Sequence, residues 1–228
     1  MIWNLSSIFS DPIGTLKAYV CIIPIILLSL TLHEWGHAFA AHKCGDDTAM
    51  NLGRMTINPF AHLDVLGFFS LLLLGFGWAK PVPVNSRNFR NYKRGEAIVS
   101  LAGVVMNLLL AIAFSGLTLF FLWMTVNKSY GWLQSEYLWM ILYYGISLNI
   151  MLILFNLLPI FPLDGYHIFE LLLARVLPAR FFLFMHRYGR YILIAVLILI
   201  NNIGFSPASA LTSLVWTKLH KLALRLFI

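Results

Sequence analysis

The feature that most constrains this sequence is an apolar run, residues 19–32, that leads directly into His33-Glu34-Trp35-Gly36-His37. Ionisable side chains at membrane depth are rare and costly, so they usually mark a functional site. The five residues match the pattern H-E-x-x-H. On a helix, His33 and His37 lie one turn apart on the same face. Both can therefore bind one zinc ion, with Glu34 beside it as general base.

The composition predicts an integral membrane protein. Of the 228 residues, 60% are hydrophobic and only 11% are charged, and the mean hydropathy is +0.82. Lipid admits only helices or closed barrels, and long unbroken apolar runs favour helices. We expect an all-α, polytopic fold with about five to six transmembrane helices. Residues 1–228 are expected to form a single membrane-embedded domain, with a catalytic core at about 17–170 and C-terminal helices at 171–228.

The charge pattern indicates a lipid partner. The net charge is +7, but the basic residues cluster between apolar runs, as the positive-inside rule and anionic headgroups require. The lipid bilayer is therefore the expected partner, and nucleic acid is not. The two cysteines, Cys21 and Cys44, provide neither a disulfide framework nor a metal-binding C-x-x-C pair.

Two other interpretations of the first apolar run are less consistent with the sequence. Lys17 before the run and Ala38-Phe39-Ala40 after it resemble a signal peptide with its cleavage site. Cleavage there would discard the H-E-x-x-H motif. A membrane di-iron oxygenase needs several histidine boxes, whereas the seven histidines here are scattered and only one pair has box-like spacing.

Residues 63–84 are predicted to form a re-entrant or extended segment. The apolar stretch 63–78 is shorter than the roughly 20 residues that a spanning helix needs. Pro81 and Pro83 then exclude helix and favour extended backbone. Residues 81–84 are either an edge strand that pairs with an unwound substrate or an ordinary loop.

A third metal ligand is expected because catalytic zinc usually takes three protein ligands and keeps one position for water. Asp164 is the strongest candidate, since Pro159, Pro162 and Gly165 around it must break the helix. Irregular backbone at membrane depth is tolerated where it lines a polar cavity. His167 is a competing candidate, and His62 is either a gating or transient ligand or a histidine at headgroup level.

Several motifs together resemble the site-2 proteases, zinc metalloproteases of peptidase family M50 that cut within the membrane. Residues 33–37 resemble their metal helix, and residues 156–165 resemble their second signature, Asn-x-x-Pro ending in Leu-Asp-Gly. The helix with Gly103 and Asn107 is similar to their middle core helix. Residues 58–64 and 77–84 resemble the short branch that lacks PDZ and CBS domains, although Val65 stands where that branch usually has proline. The resemblance covers about residues 20–170.

The resemblance implies a zinc-dependent endopeptidase that hydrolyses membrane-spanning substrates through a zinc-activated water. By position, His33, His37 and Asp164 would bind one Zn²⁺ per chain, and Glu34 would be the catalytic base. Asn107 and Asn156 would be polar neighbours of the site. A non-catalytic zinc-holding scaffold or pseudoprotease remains the alternative, which the intact Glu34 disfavours.

Topology follows from the requirement that residues 33–37 and Asp164 share one ion. Both must then lie on the same side of the membrane, so residues 63–78 cannot cross it. The basic residues on that side are Lys43, Arg54, Lys80, Arg87, Arg90, Lys93, Arg94, Arg175, Arg180, Arg187 and Arg190. With the tail after residue 205 uncounted, the other side receives only Lys17 and Lys128. The positive-inside rule predicts a cell-membrane protein whose active site opens toward the cytoplasm.

Overall fold

The computed structural model describes residues 10–74, 77–128, 130–203 and 207–227. Within these residues the fold is helical, with no β-strand. The helices of ten or more residues are α1 (Pro12–Cys44), α2 (Val65–Leu74), α3 (Tyr92–Asn127), α4 (Glu136–Asn156), α5 (Asp164–Leu173), α6 (Ala179–Ile203) and α7 (Pro207–Phe227). Single-turn helices lie at Thr48–Asn51 and Pro59–His62, and 3₁₀ turns at Ser86–Asn88 and Gly131–Gln134.

Four of the described helices, α1, α3, α4 and the first 22 residues of α6, are long and apolar enough to cross a membrane. This confirms the expected all-α membrane class. The C-terminal helix α7 has spanning length but is not one of the four, because Lys218, Lys221 and Arg225 lower its hydropathy.

The core of the fold is formed by α1, α3 and α4. Ile22 and Ile26 of α1 pack with Leu148 of α4, and Phe114 of α3 closes this cluster. Lys17, near the start of α1, pairs with Glu136 at the start of α4, with 2.5 Å between Nζ and Oε1. The two helices are therefore parallel, and α3 runs antiparallel to both.

The residues that flank segment 63–79 lie next to each other. The backbone N–H of Lys80 donates to the carbonyl of His62, with 2.9 Å between the atoms. Between these flanks, α2 has only ten residues, or about 15 Å of helix, half of the hydrocarbon thickness. Residues 75 and 76 lie outside the described residues. Because its flanks are hydrogen bonded to each other, this segment does not cross the membrane. Residues 33–37 and Asp164 can therefore lie on the same side and share one ion.

The loop after this segment is held against the end of α1 by Asp46. This fully buried carboxylate accepts hydrogen bonds from the Asn85 N–H and the Asn88 side chain, and from both the N–H and the hydroxyl of Thr48. Burial opposes ionisation, but these four donors outweigh it and hold the pKa of Asp46 below its ordinary value. The non-helical residues 77–85 are thereby fixed beside α1.

The C-terminal helix α7 packs on α3 and α4. Its Trp216 ring contacts Trp139 and Tyr143 near the start of α4, and His220 contacts Trp139. Lys218, Lys221 and Arg225 follow Trp216 toward the start of α4 and therefore lie near the same end of the core as Lys17. Counting these three reduces the predicted excess of basic residues on the opposite side, from 11 against 2 to 11 against 5, without reversing it.

Candidate metal centre

Three predicted ligands come together where α1 meets the start of α5. His33 and His37 lie in the C-terminal half of α1, and Asp164 is the first residue of α5, directly after the irregular residues 157–163. The two Nε2 atoms are 3.1 Å apart, and each lies 3.4 Å from Oδ2 of Asp164. Within the described part of the chain, they are the one group of three or more His, Cys, Asp or Glu residues whose possible ligand atoms lie within 4.8 Å of one another.

The donor set fits a zinc ion. Tetrahedral zinc has ligand distances of about 2.0–2.2 Å, which places neighbouring donor atoms roughly 3.3–3.6 Å apart. The observed separations of 3.1 and 3.4 Å are close to this range. Oδ2 of Asp164 is buried and accepts no hydrogen bond from the described protein groups. Two imidazoles and one otherwise unpartnered carboxylate oxygen can therefore bind one metal ion.

Both histidines have their other ring nitrogen hydrogen bonded away from the cluster. Nδ1 of His37 lies 2.7 Å from the carbonyl oxygen of Val99, and Nδ1 of His33 lies 2.6 Å from Oδ1 of Asn107. Since each partner is an acceptor, Nδ1 carries the proton in both rings. The unprotonated Nε2 atoms then face Asp164, as a metal ligand requires.

Gly103 of α3 provides the space for the two rings. A Cβ atom at this position would lie 2.5 Å from both Cε1 of His33 and Nε2 of His37. Any side chain would therefore displace the ligands. The close approach of α3 to α1 depends on this glycine.

Glu34 is buried beside the cluster and is held by the loop after α2. Its Oε2 accepts a hydrogen bond from the backbone N–H of Val82, with 2.8 Å between the atoms. No strand forms at residues 81–84, and the carbonyls of Lys80 and Pro81 already accept hydrogen bonds from Arg54. Edge pairing of this segment with a substrate stays a prediction.

The remaining predicted residues lie outside the three-ligand cluster. The ring of His62 is buried and bonds the carbonyl of Thr56 through Nε2. His167 pairs with Glu96, with 3.2 Å between Nδ1 and Oε1, and this hydrogen bond raises the pKa of His167 above its ordinary value. The side-chain amide of Asn156 donates to the Leu152 carbonyl of its own helix.

Sequence reasoning did not identify three groups that position the site. They are the Val99 carbonyl, the Val82 N–H and the side chain of Asn149, which accepts a hydrogen bond from Asn107. The first two are backbone groups and have no sequence signature. Asn149 carries a weak signal, since it is a polar residue within an apolar run.

Comparison with known proteins adds an independent line of evidence. The family model described as Peptidase family M50 matches residues 124–200, which include Asp164. A Bacillus subtilis protein named "Putative zinc metalloprotease YwhC" is 46% identical over 149 residues, covering 64% of this chain and 65% of the relative. The Mycolicibacterium smegmatis "Putative zinc metalloprotease Rip2" is 32% identical over 164 residues, covering 70% of this chain and 60% of the relative.

The alignments thus span a little under two thirds of the length of these curated relatives. No solved structure matches the chain significantly. The family model covers the motif at residues 156–165, and both relatives are named as zinc metalloproteases, so the resemblance to the site-2 proteases of peptidase family M50 is confirmed.

Proposed function

We propose that this protein is a zinc-dependent intramembrane endopeptidase that hydrolyses peptide bonds of membrane-spanning proteins. The observation that supports this function best is the convergence of His33, His37 and Asp164, with Glu34 buried next to them, among helices apolar enough to cross a membrane. The names of the relatives and the family match support the metalloprotease chemistry.

The ligands of the proposed zinc ion are the Nε2 atoms of His33 and His37 and a carboxylate oxygen of Asp164. Zinc bound there would supply Lewis acidity, which lowers the pKa of a water and polarises a scissile carbonyl. Glu34 accepts the proton of the attacking water and passes it to the leaving amine. The Val82 N–H occupies Oε2 of Glu34, which leaves Oε1 as the oxygen for proton transfer.

The substrate class follows from the depth of the site. The histidines of the site lie within α1, and Lys43 in the last turn of that helix follows His37 by six residues and His33 by ten, or about 9–15 Å along the axis. A substrate peptide bond must therefore reach the ligands inside the bilayer. Because a transmembrane helix uses its carbonyls in its own hydrogen bonds, the substrate has to unwind locally before it is cut.

The active site is proposed to open toward the cytoplasm. The basic residues favour that side for residues 43–54 and 80–94, and the hydrogen bond between residues 62 and 80 supports the hairpin on which this orientation depends. Single cysteines at positions 47, 91 and 130 on a cysteine-free background test the orientation. An impermeant thiol reagent should label 130 in intact cells and leave 47 and 91 unlabelled. Labelling of 47 and 91 but not 130 would reverse the orientation.

Replacement of the base tests the activity. In cells, Glu34→Gln should retain zinc but accumulate uncut single-pass membrane fragments, which quantitative membrane proteomics would detect against the wild type. Zinc content should be close to one ion per chain in both proteins. A zinc-loaded wild type whose membrane proteome equals that of Glu34→Gln would instead favour the alternative, a non-catalytic zinc-holding scaffold.

A further inference from the structure

A buried hydrogen-bond chain runs from α4 through α3 to the first metal ligand. Asn149 of α4 has no exposed surface, and its Nδ2 donates to the carbonyl of Gly145 at 2.8 Å. Its Oδ1 accepts from Nδ2 of Asn107 on α3 at 3.0 Å. Asn107, also without exposed surface, presents its Oδ1 to Nδ1 of His33 at 2.6 Å.

The Gly145 carbonyl, at the end of the hydrogen-bond chain away from His33, determines how the side-chain amides of Asn149 and Asn107 are oriented. The Gly145 carbonyl can only accept, so the Asn149 amide must point its NH₂ group toward it. The carbonyl oxygen of Asn149 then faces Asn107 and requires an NH₂ group there. The oxygen of Asn107 is left facing His33, and it requires a proton on Nδ1. Each link permits one orientation of the next side chain.

We propose that Asn149 is a positioning residue that sets the tautomer of His33 through Asn107. The inference rests on the proposed metal site but does not depend on proteolysis. Without Asn149, the Asn107 amide can rotate and offer its NH₂ group to His33. Nδ1 would then accept, Nε2 would carry the proton, and His33 could not bind metal in that state.

His37 provides the internal contrast. Its Nδ1 proton is held directly by the Val99 carbonyl, a backbone group that cannot reverse its polarity. Asn107 is an amide with a donor and an acceptor end, so it needs a second residue to choose between them. Asn149 therefore has a role at His33 that no residue needs to fill at His37.

Zinc affinity, measured by competition with a chelator, tests the proposal without use of any substrate. Asn149→Leu should weaken zinc binding about 10- to 100-fold, the range seen when groups that orient metal ligands are removed. The Co²⁺-substituted protein should show an altered visible spectrum. Asn149→Ser should weaken zinc binding as much as Asn149→Leu does. The serine hydroxyl can bond the Gly145 carbonyl within the helix, but the side chain is too short to reach Asn107.

The matched control is Thr118→Val. Thr118 is a fully buried polar residue of α3 whose hydroxyl bonds the Phe114 carbonyl of its own helix. This variant should bind zinc like the wild type. The comparison separates the effect of breaking the Asn149–Asn107–His33 hydrogen bonds from the effect of removing any buried hydrogen bond.

Asn107→Asp provides the decisive comparison. A carboxylate accepts with both oxygens, so it can hold the Nδ1 proton of His33 in either orientation. Asn149→Leu should therefore have little further effect on zinc affinity in the Asn107→Asp background. An equal loss in both backgrounds would mean that Asn149 acts only through packing and would overturn the proposal.

Unchanged zinc affinity in both Asn149 variants would also overturn it, while leaving the proposed function intact. A wild-type protein that binds no zinc would overturn both. The wild-type measurement therefore separates failure of this inference from failure of the proposed function.

Discussion

The polar groups of the α1–α3–α4 core differ in burial from the ion pair that joins α5 and α6. In the core, His33, Asn107 and Asn149 are buried, and each hydrogen bond goes to a specific partner on another element or to a backbone carbonyl. In the α5–α6 region, the pair His186–Glu170 is 3.5 Å apart, and its side chains are 43% and 33% exposed.

This difference indicates where single substitutions should have the largest effects. A buried polar group that loses its hydrogen-bond partner destabilises the fold by its full desolvation free energy. A network of such groups is therefore stable only when every group has a suitable partner. Partly exposed ion pairs contribute about 0–1 kcal/mol and tolerate substitution. The core should therefore be sensitive to single-atom changes, and the α5–α6 pairs should not.

The largest effect is expected at the boundary between the two regions, where α5 begins. Asp164→Ala should lose zinc almost completely, because a direct ligand is removed and two neutral histidines remain. His167→Ala, one turn further along α5, should retain zinc, since that ring pairs with Glu96 instead. Metal content of the purified proteins decides the question. Zinc loss in His167→Ala with retention in Asp164→Ala would mean that the third ligand is His167.

Gly103→Ala should give the next largest effect. The added methyl would lie 2.5 Å from His33 and His37, and ligand displacement of this kind can cost about 100-fold in activity. Gly116→Ala, on the same helix with nothing within 4 Å of the new methyl, is the matched control and should be neutral or slightly stabilising. Substrate cleavage and zinc content should be measured for both. Equal behaviour of the two variants would contradict the close approach of α3 to the ligands.

Val82→Pro should reduce cleavage by about 10-fold or more while zinc content stays near that of the wild type. Proline removes the N–H that holds Glu34, and that donor accounts for about 1–3 kcal/mol in a buried site. Val82→Ala keeps the N–H and should retain most activity. If the alanine variant loses as much as the proline variant, the side chain of Val82 rather than its N–H is what matters.

The smallest effect is expected for the exposed pair of the α5–α6 region. His186→Ala and Glu170→Gln should each change the free energy of unfolding by no more than about 1 kcal/mol and leave zinc content unchanged. Thermal melting in detergent with parallel metal analysis would measure this. Zinc loss in either variant would show that the two regions are not as separate as their burial indicates.

The sequence alone was sufficient for the local part of the site and for the class of fold. The four-residue spacing of His33 and His37 has one geometric meaning on a helix, and the apolar runs have one meaning in lipid. The hairpin at residues 63–79 was also predictable, because His33 and Asp164 can share an ion only if the intervening chain returns to the same side. Asp164 itself could be predicted because the prolines and the glycine around it break the helix.

Only the tertiary structure decided which polar groups orient the ligands. Asn149 and Asn156 are two turns apart on α4 and look alike in the sequence, yet Asn149 bonds Asn107 across the helix interface while the amide of Asn156 bonds Leu152 within its own helix. An asparagine in an apolar helix can always donate to the carbonyl four residues earlier, so its residue type does not specify a partner. The neighbouring helix decides which of the two asparagines faces a donor, and the backbone groups of Val99 and Val82 become visible only when that packing is known.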